Sequence, residues 1–186
     1  KVYKWLQEQE NPIRNRVILS NIRSKDIIRR INKDALLVGK IVETEAYLAF
    51  DDPAAHNFKG KSKRNQSLYK EAGHAYVHSM RQYFLVDVVV EGVDVPGSVL
   101  IRAVEPIEGI EYMEEKRNTK DREKLTSGPS KFCQAFSIDK GLDGIDLTTA
   151  KSRVYLCSGE SMLPGEIITS YRIGISQACL DTSRII

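Results

Sequence analysis

The longest apolar run in this chain, Phe84-Leu85-Val86-Asp87-Val88-Val89-Val90, carries a carboxylate at its centre. The run is far shorter than the ~20 residues a membrane helix needs, and no other uninterrupted apolar stretch approaches that length. It reads as a strand over 83–90. An isolated buried charge is very costly, so Asp87 must face a polar pocket, find a partner, or sit on an edge facing water. The first residues, Lys1 to Glu10, have no apolar core of the signal-peptide kind. Cys133, Cys157 and Cys179 cannot all pair within the chain and lack the close spacing of a zinc site. A reduced, intracellular protein without metal is the simplest expectation. At 186 residues the chain has the length of one domain.

Around that run, the sequence alternates between strand and helix signals. Residues 24–34 place Ile27, Ile28 and Ile31 at helical spacing and predict a short helix with Ser24 as N-cap. Residues 35–48 predict a strand with Gly39 as a bulge. Period two puts Val42, Thr44, Ala46 and Leu48 on one face, and Ile41, Glu43, Glu45 and Tyr47 on the other. Residues 50–73 read as a long polar loop with one helical turn. Strands over 74–80 and 98–104 flank the 83–90 strand, the latter entered through Pro96-Gly97. Ile110 to Lys124 predicts a charged helix, and Lys131 to Ile138 a second one, capped by Ser127 or Ser130. Residues 153–157 and 166–175 read as late strands. Elements mixed without βαβ regularity predict an α+β single domain over 1–186, with a curved, mostly antiparallel sheet and flanking helices.

Charge is distributed unevenly behind a net of only +3: residues 1–40 carry 10 positive and 4 negative side chains, while 91–115 carry 1 and 7. Such a layout suits a basic face toward a polyanion and an acidic face elsewhere, or a merely mixed soluble surface. The loop Lys59-Gly60-Lys61-Ser62-Lys63-Arg64-Asn65 supplies four cations for phosphates, with Ser and Asn as hydrogen-bonding groups. Lys131 follows Ser127-Gly128-Pro129-Ser130, where a helix start could also hold a phosphate.

Glu43 and Glu45 point the same way from one strand, roughly 6.5–7 Å apart by strand rise. A carboxylate held ionised in a half-buried pocket can activate water, whereas an exposed polar strand face does nothing further. Arg102 lies in the apolar strand Val99-Leu100-Ile101-Arg102-Ala103-Val104 and needs an anion if buried; Glu45 would serve, as would Glu105 in a purely structural pair. Tyr47 and His56 offer flat walls for a planar substrate.

Together these residues resemble the alkyladenine (3-methyladenine) DNA glycosylase family. The resemblance rests on Ile41-Val42-Glu43-Thr44-Glu45-Ala46-Tyr47-Leu48, Asp52-Pro53-Ala54-Ala55-His56, Arg64-Asn65 and Gly73-His74-Ala75-Tyr76-Val77. It continues through Val99 to Gly109, Ser127-Gly128-Pro129-Ser130-Lys131 and Arg172-Ile173-Gly174-Ile175, and is clearest over 36–175. It implies a monofunctional base-excision enzyme that flips alkylated or deaminated purines out of duplex DNA, since the glycosidic bond is inaccessible in the stack, and hydrolyses that bond with water. By motif, Glu45 is implied as the base that activates water and Arg102 as the residue that helps hold it. Tyr47 and His56 are implied as pocket walls, and Lys63, Arg64, Lys131 and Lys140 as DNA-backbone contacts. No cofactor is implied. The implied partner is double-stranded DNA containing damaged purines, with no membrane, and a monomer is expected. The implied location is the nucleus in a eukaryote or the cytoplasm and nucleoid in a bacterium.

The chain departs from the family at three pocket positions. Arg81 stands where the family usually has a wedging tyrosine, with Tyr83 in the same turn as the other candidate wedge. His78 replaces a second stacking tyrosine, and Asp87 an asparagine facing the base. Because a carboxylate cannot donate a hydrogen bond unless protonated, Asp87 is expected to shift base selectivity. Ser176 to Ile186 lack the aromatic, arginine-containing closing strand usual in the family, so a trimmed C-terminal edge is expected. Three alternatives stay open: a non-catalytic DNA-binding relative; a carbohydrate glycosidase using Glu43 and Glu45, whose separation overlaps the ~6.5–9.5 Å of inverting enzymes; and a structural protein whose charges are incidental.

Overall fold

The computed structural model describes residues 25–32, 35–50, 52–159, 168 and 170–175. Ser24 and Ser176 to Ile186, and with them the cap and the C-terminal edge expected above, lie outside these residues. The described residues form one six-stranded sheet. Its strands are β1 (Lys25–Arg30), β2 (Leu36–Tyr47), β3 (Ala75–Met80), β4 (Tyr83–Val89), β5 (Ser98–Glu108) and β6 (Val154–Ser158). The spatial order is β3-β4-β5-β2-β1-β6, with every pairing antiparallel. Three short helices, α1 (Ile110–Arg117), α2 (Arg122–Leu125) and α3 (Pro129–Ala135), complete the α+β fold.

The two faces of the sheet divide the labour by period two. One face carries Ile27, Leu37, Ile41, Val77, Val86, Val88, Val99 and Ile101 into a core closed by Met113, Leu125, Phe132 and Phe136 from the helices. The other face of β3, β4, β5 and β2 carries Tyr76, His78, Leu85, Asp87, Ser98, Leu100, Arg102, Glu45 and Tyr47, which line a cavity. The 83–90 run therefore buries both faces: valines into the core, Asp87 into the cavity wall.

Four expectations change on folding. Residues 25–30 form a strand, not a helix: β1 is hydrogen-bonded on both sides, to β2 and β6. Isoleucine is at home on a pleated surface, and two neighbouring ladders outweigh the helical spacing of Ile27, Ile28 and Ile31. Arg29 shares a face with Ile27, and its guanidinium donates to the Phe136 and Ser137 carbonyls just past α3. The 110–124 helix is broken in two. Asn118 adopts a left-handed conformation (φ 48°) and its N–H closes α1 onto Glu114 and Glu115, a role asparagine tolerates.

The next helix starts at Pro129 and ends at Ala135, without a side-chain cap from Ser127 or Ser130. Gly128 at φ 145° and proline in the first turn start it instead. Finally, residues 170–175 form no strand but an irregular segment with a turn at 173–174.

Strand β2 also departs from simple alternation. The bulge expected at Gly39 falls instead on the neighbouring strand: Val38 lies opposite Glu108 and Gly39 opposite Pro106, so β5 carries the extra residue, Ile107, while Gly39 stays in register with Ile27 of β1. A Cβ at Gly39 would stand 2.9 Å from a Val104 methyl, so only glycine allows this approach. A second irregularity follows, with Ile41 opposite Val104, Glu43 opposite Ala103 and Thr44 opposite Ile101. Val42 on β2 and Arg102 on β5 are thus each left without a partner in the ladder. This flips the parity of β2. Ile41 turns into the core, away from Glu43, Glu45 and Tyr47, and Val42 is pushed to 44% exposure. Bulges of this kind re-aim side chains, and here they aim Arg102 at the two glutamates.

Candidate active site

The cavity measures about 550 Å³, within the ~300–1,000 Å³ usual for small-molecule sites. Glu45, Tyr47, His56, His78, Asp87 and Arg102, all singled out by the sequence, line it.

One wall is built from β2 and β5. Glu45 is 1% exposed. Its Oε1 accepts from Arg102 Nη1 at 2.9 Å and from the Ile173 backbone N–H at 2.8 Å; its Oε2 accepts from the Tyr47 hydroxyl at 3.0 Å. Arg102 Nε donates to Glu43 Oε1 at 2.7 Å. The buried guanidinium is thus matched by Glu43 and Glu45; Glu105 is exposed and is not its partner. Burial and the Glu45 charge push the Tyr47 phenol well above its ordinary range, so it remains a donor. A carboxylate offers roughly four lone-pair directions, three of which these donors take, leaving about one for a further donor such as water.

A buried clamp missed by sequence reading holds this wall in place. Arg172 bonds both oxygens of Asp52 at 2.6 and 2.9 Å and donates to the Ala46 carbonyl at 3.1 Å. Asp52 also accepts the Leu48 and Ala54 N–H groups, both at 3.1 Å. A buried ion pair survives when further hydrogen bonds satisfy its remaining groups, and here the Ala46 carbonyl and the Leu48 and Ala54 N–H groups supply three. The Arg172 guanidinium lies 4.6 Å from the Tyr47 ring centre. The clamp brings the 171–175 segment across the cavity and so presents the Ile173 N–H to Glu45. Asp52 and Arg172 were visible only as members of motifs; nothing in their local pattern marked them as a pair 120 residues apart.

The facing wall is built from β3, β4 and the loop after β2. His56 Nδ1 and the Tyr76 hydroxyl are 2.9 Å apart. The His78 ring stacks on Tyr76 at 5.1 Å and meets His56 edge-on at 4.4 Å. Burial and the neighbouring His78 push His56 below the usual imidazole range, so it is a neutral ring. Burial and the Asp87 charge push the Tyr76 phenol up, so it stays protonated and can donate to His56. Asp87 is 5% exposed; its Oδ2 accepts from Ser98 Oγ at 2.8 Å, and its Oδ1 faces His78 Nε2 at 3.4 Å. Tyr76 is the wall residue that the sequence reading passed over, although period two from His78 points to it.

The cations surround the cavity unequally. Lys59, Lys63 and Arg64 are exposed on the loop that follows His56 and Asn57. Lys61 is not free there: it pairs with Asp94 at 2.7 Å. The acidic stretch 91–115 therefore does not lie wholly apart from the basic loop, because the β4–β5 connection carries Asp94 back to it. Ser62 and Asn65 serve the loop itself rather than a phosphate. Asn65 is 4% exposed, donates to the His56 and Gly60 carbonyls, and accepts from the Ser62 N–H and hydroxyl.

Arg81 sits in the two-residue turn between β3 and β4 at φ 55°, next to Met80 of the cavity lining, and Tyr83 is 39% exposed on the far side of that turn. Lys131 is two residues past the cavity residue Pro129. Lys140 directs its ammonium to the Val77 carbonyl at 2.6 Å and to Asp143 at 2.9 Å, so two of its donors are used within the fold.

The family described as methylpurine-DNA glycosylase matches residues 21–184. A protein of Carboxydothermus hydrogenoformans, provisionally named a 3-methyladenine DNA glycosylase, is 38% identical over 161 residues, covering 86% of this chain and 83% of its own length. Proteins with the same provisional name are 46% identical in Staphylococcus haemolyticus, over 74% of this chain and 67% of the relative, and 39% identical in Clostridium perfringens, over 87% and 83%.

Proposed function

Because the chain belongs to the methylpurine-DNA glycosylase family, we propose that its cavity receives a damaged purine flipped from duplex DNA and that Glu45 activates the water that releases it. DNA glycosylase activity in repair comes with family membership; the lesion, the residues and the water are our reading. The observation that carries it is a carboxylate 1% exposed on the cavity wall, held by three donors and left with room for water. Departure of the base leaves positive charge on the sugar, which the same carboxylate stabilises while it takes the proton of the attacking water. Arg102 orients Glu45 and, through Glu43, is itself fixed.

Tyr47, His56, His78 and Asp87 enclose the base. With the Tyr76 hydroxyl donating to Nδ1, His56 carries its proton on Nε2 and offers it to an acceptor on the purine edge. The π-rich walls favour a cationic alkylated purine, and deaminated purines are included in the proposed range. Arg81 or Tyr83, at the exposed β3–β4 turn, fills the gap left by the flipped nucleotide. Lys63, Arg64, Lys131 and Lys140 contact the phosphate backbone, Lys140 with its remaining donor. We place the protein on DNA as a monomer.

The test is release of base from duplex DNA carrying one hypoxanthine or one alkylated adenine, read after alkaline cleavage of abasic sites. Glu45→Gln should slow release by ~10²–10⁴-fold, the range for a positioned general base. No product from the natural sequence, or undiminished product from E45Q, overturns the proposal.

A further inference from the structure

The segment that carries Arg172 into the fold also sets an apolar residue at the rim of the cavity. Ile173 gives its backbone N–H to Glu45 Oε1 at 2.8 Å, yet the residue is 59% exposed and lines the cavity. Its place is fixed by its neighbour, Arg172, bidentate on the buried Asp52, and not by its own burial. Backbone and side chain are therefore used separately: one holds the carboxylate, the other faces what enters.

The surroundings of Ile173 offer no polar alternative. The other lining residues of the segment, Gly174 and Ile175, bring no side-chain donor or acceptor. Gly174 stands at φ 79°, and a Cβ there would meet nothing within 4 Å among the described residues, so the rim past Ile173 is bare backbone. On the adjoining wall, Arg102 donates to Glu43 and Glu45, and the Tyr47 hydroxyl to Glu45.

What lies against Ile173 follows from the chemistry of the bond. The water held by Glu45 attacks the sugar C1′ on the face opposite the departing base. With ~2.8 Å from carboxylate to water and ~3–3.5 Å from water to carbon, C1′ stands roughly 6 Å from the Glu45 oxygen. That is beside the residue whose N–H touches the same carboxylate. In a ribonucleotide the 2′-hydroxyl projects on this face, next to the path of the water; in a deoxyribonucleotide only hydrogen does.

We propose that Ile173 reads the sugar: its side chain packs against the C2′ methylene of a 2′-deoxynucleotide and leaves a 2′-hydroxyl without a partner. This rests on the glycosylase reading above and adds to it a specificity-determining residue for the sugar. A hydroxyl pressed against Ile173 loses its water and gains no hydrogen bond, or it takes the last lone pair of Glu45 and displaces the nucleophile. Either way release slows. A 2′-hydroxyl also opposes positive charge on the sugar wherever this bond breaks, so the diagnostic quantity is how discrimination changes with the Ile173 side chain.

The experiment measures single-turnover release from two DNA duplexes that differ by one oxygen, with a deoxynucleotide or a ribonucleotide at the lesion. The lesion is hypoxanthine or alkylated adenine, whichever the natural sequence releases from DNA. Ile173→Ala keeps the backbone N–H and with it the Glu45 contact. It should slow release from the deoxynucleotide several-fold, as packing on the sugar is lost, and speed release from the ribonucleotide by ~10-fold. Ile173→Val keeps a branched side chain and should discriminate like the natural sequence. A ratio of the two rates unchanged in I173A, or ribonucleotide release that does not rise, would overturn this inference while leaving the glycosylase reading intact. Release of neither lesion from the deoxynucleotide duplex by the natural sequence would instead count against that reading.

Discussion

The two walls of the cavity are made in opposite ways. On the β2–β5 wall, the Glu45 carboxylate meets a guanidinium, a hydroxyl and a backbone N–H, and the guanidinium is shared with Glu43. On the β3–β4 wall, Asp87 and His78 face each other, each with one atom that has no hydrogen-bond partner among the described residues. The first wall is preorganised: its dipoles are fixed before substrate arrives, which is how electrostatic stabilisation avoids reorganisation during the reaction. The second is looser: the facing atoms of Asp87 and His78 stand 3.4 Å apart, beyond good hydrogen-bond distance.

The comparison can be broken most severely at the clamp. Arg172→Ala leaves Asp52 charged and unpaired in the interior, and should cost ~3–5 kcal/mol of stability in denaturant unfolding. It should also remove the support of the Ile173 N–H beside Glu45. An unfolding midpoint unchanged in R172A would show that the first wall does not depend on the 171–175 segment.

Next comes Arg102→Lys. An ammonium cannot reproduce the fork that spans Glu43 and Glu45. Base release should slow by roughly tenfold or more at saturating enzyme, equivalent to about 1.4 kcal/mol in the barrier. Equal rates in R102K and the natural sequence would reduce the guanidinium to a structural counter-ion.

On the second wall, Ser98→Ala removes the one hydroxyl that holds Asp87. It should destabilise the fold by ~1–3 kcal/mol, the usual cost of a lost partner to a buried polar group. A loss as large as that of R172A would mean that the two walls are equally rigid.

The pH dependence of stability sharpens the contrast further. His56 is pushed below its ordinary value of 6.5 when folded. The unfolded chain therefore binds more protons than the folded one just below that pH, and stability should fall as pH drops through it. His56→Gln should flatten this acid limb in urea unfolding at two pH values; an unchanged limb would assign it to other groups.

The smallest effect expected is outside the walls. Lys63→Ala should lower the slope of log affinity for duplex DNA against log salt by about one, with little change in base selectivity. Asp94→Ala, which frees Lys61, should raise affinity modestly in the same titration.

Much of this was legible in the sequence because local chemistry carried it. The apolar runs over 83–90 and 98–104 marked two central strands of the sheet. The carboxyl within Phe84 to Val90 called for a polar pocket, a partner or an edge facing water, and Asp87 lines the cavity. The cost of leaving Arg102 unpaired called for an acid, with Glu45 and Glu105 both open, and folding pairs it with Glu43 and Glu45. What failed were places where a local signal competes with a distant partner. The isoleucines of 25–30 have helical spacing, but two neighbouring strands take their backbone. Simple period two put Ile41 beside Glu45, but a pair of bulges reverses it. Asn65 and Ser62 looked like phosphate ligands, but the loop's own buried carbonyls claim Asn65.

The sequence by itself determined the α+β class, the two-faced central strands and the residues capable of chemistry, because these depend on side-chain polarity and spacing along the chain. Only the tertiary structure decided which of those residues meet. Asp52 finds Arg172 across 120 residues, Asp94 returns to Lys61, and His78 comes to face Asp87 through the register of β3 on β4. The physical reason is that burial makes every charge seek a partner in space, while the chain orders residues only in sequence.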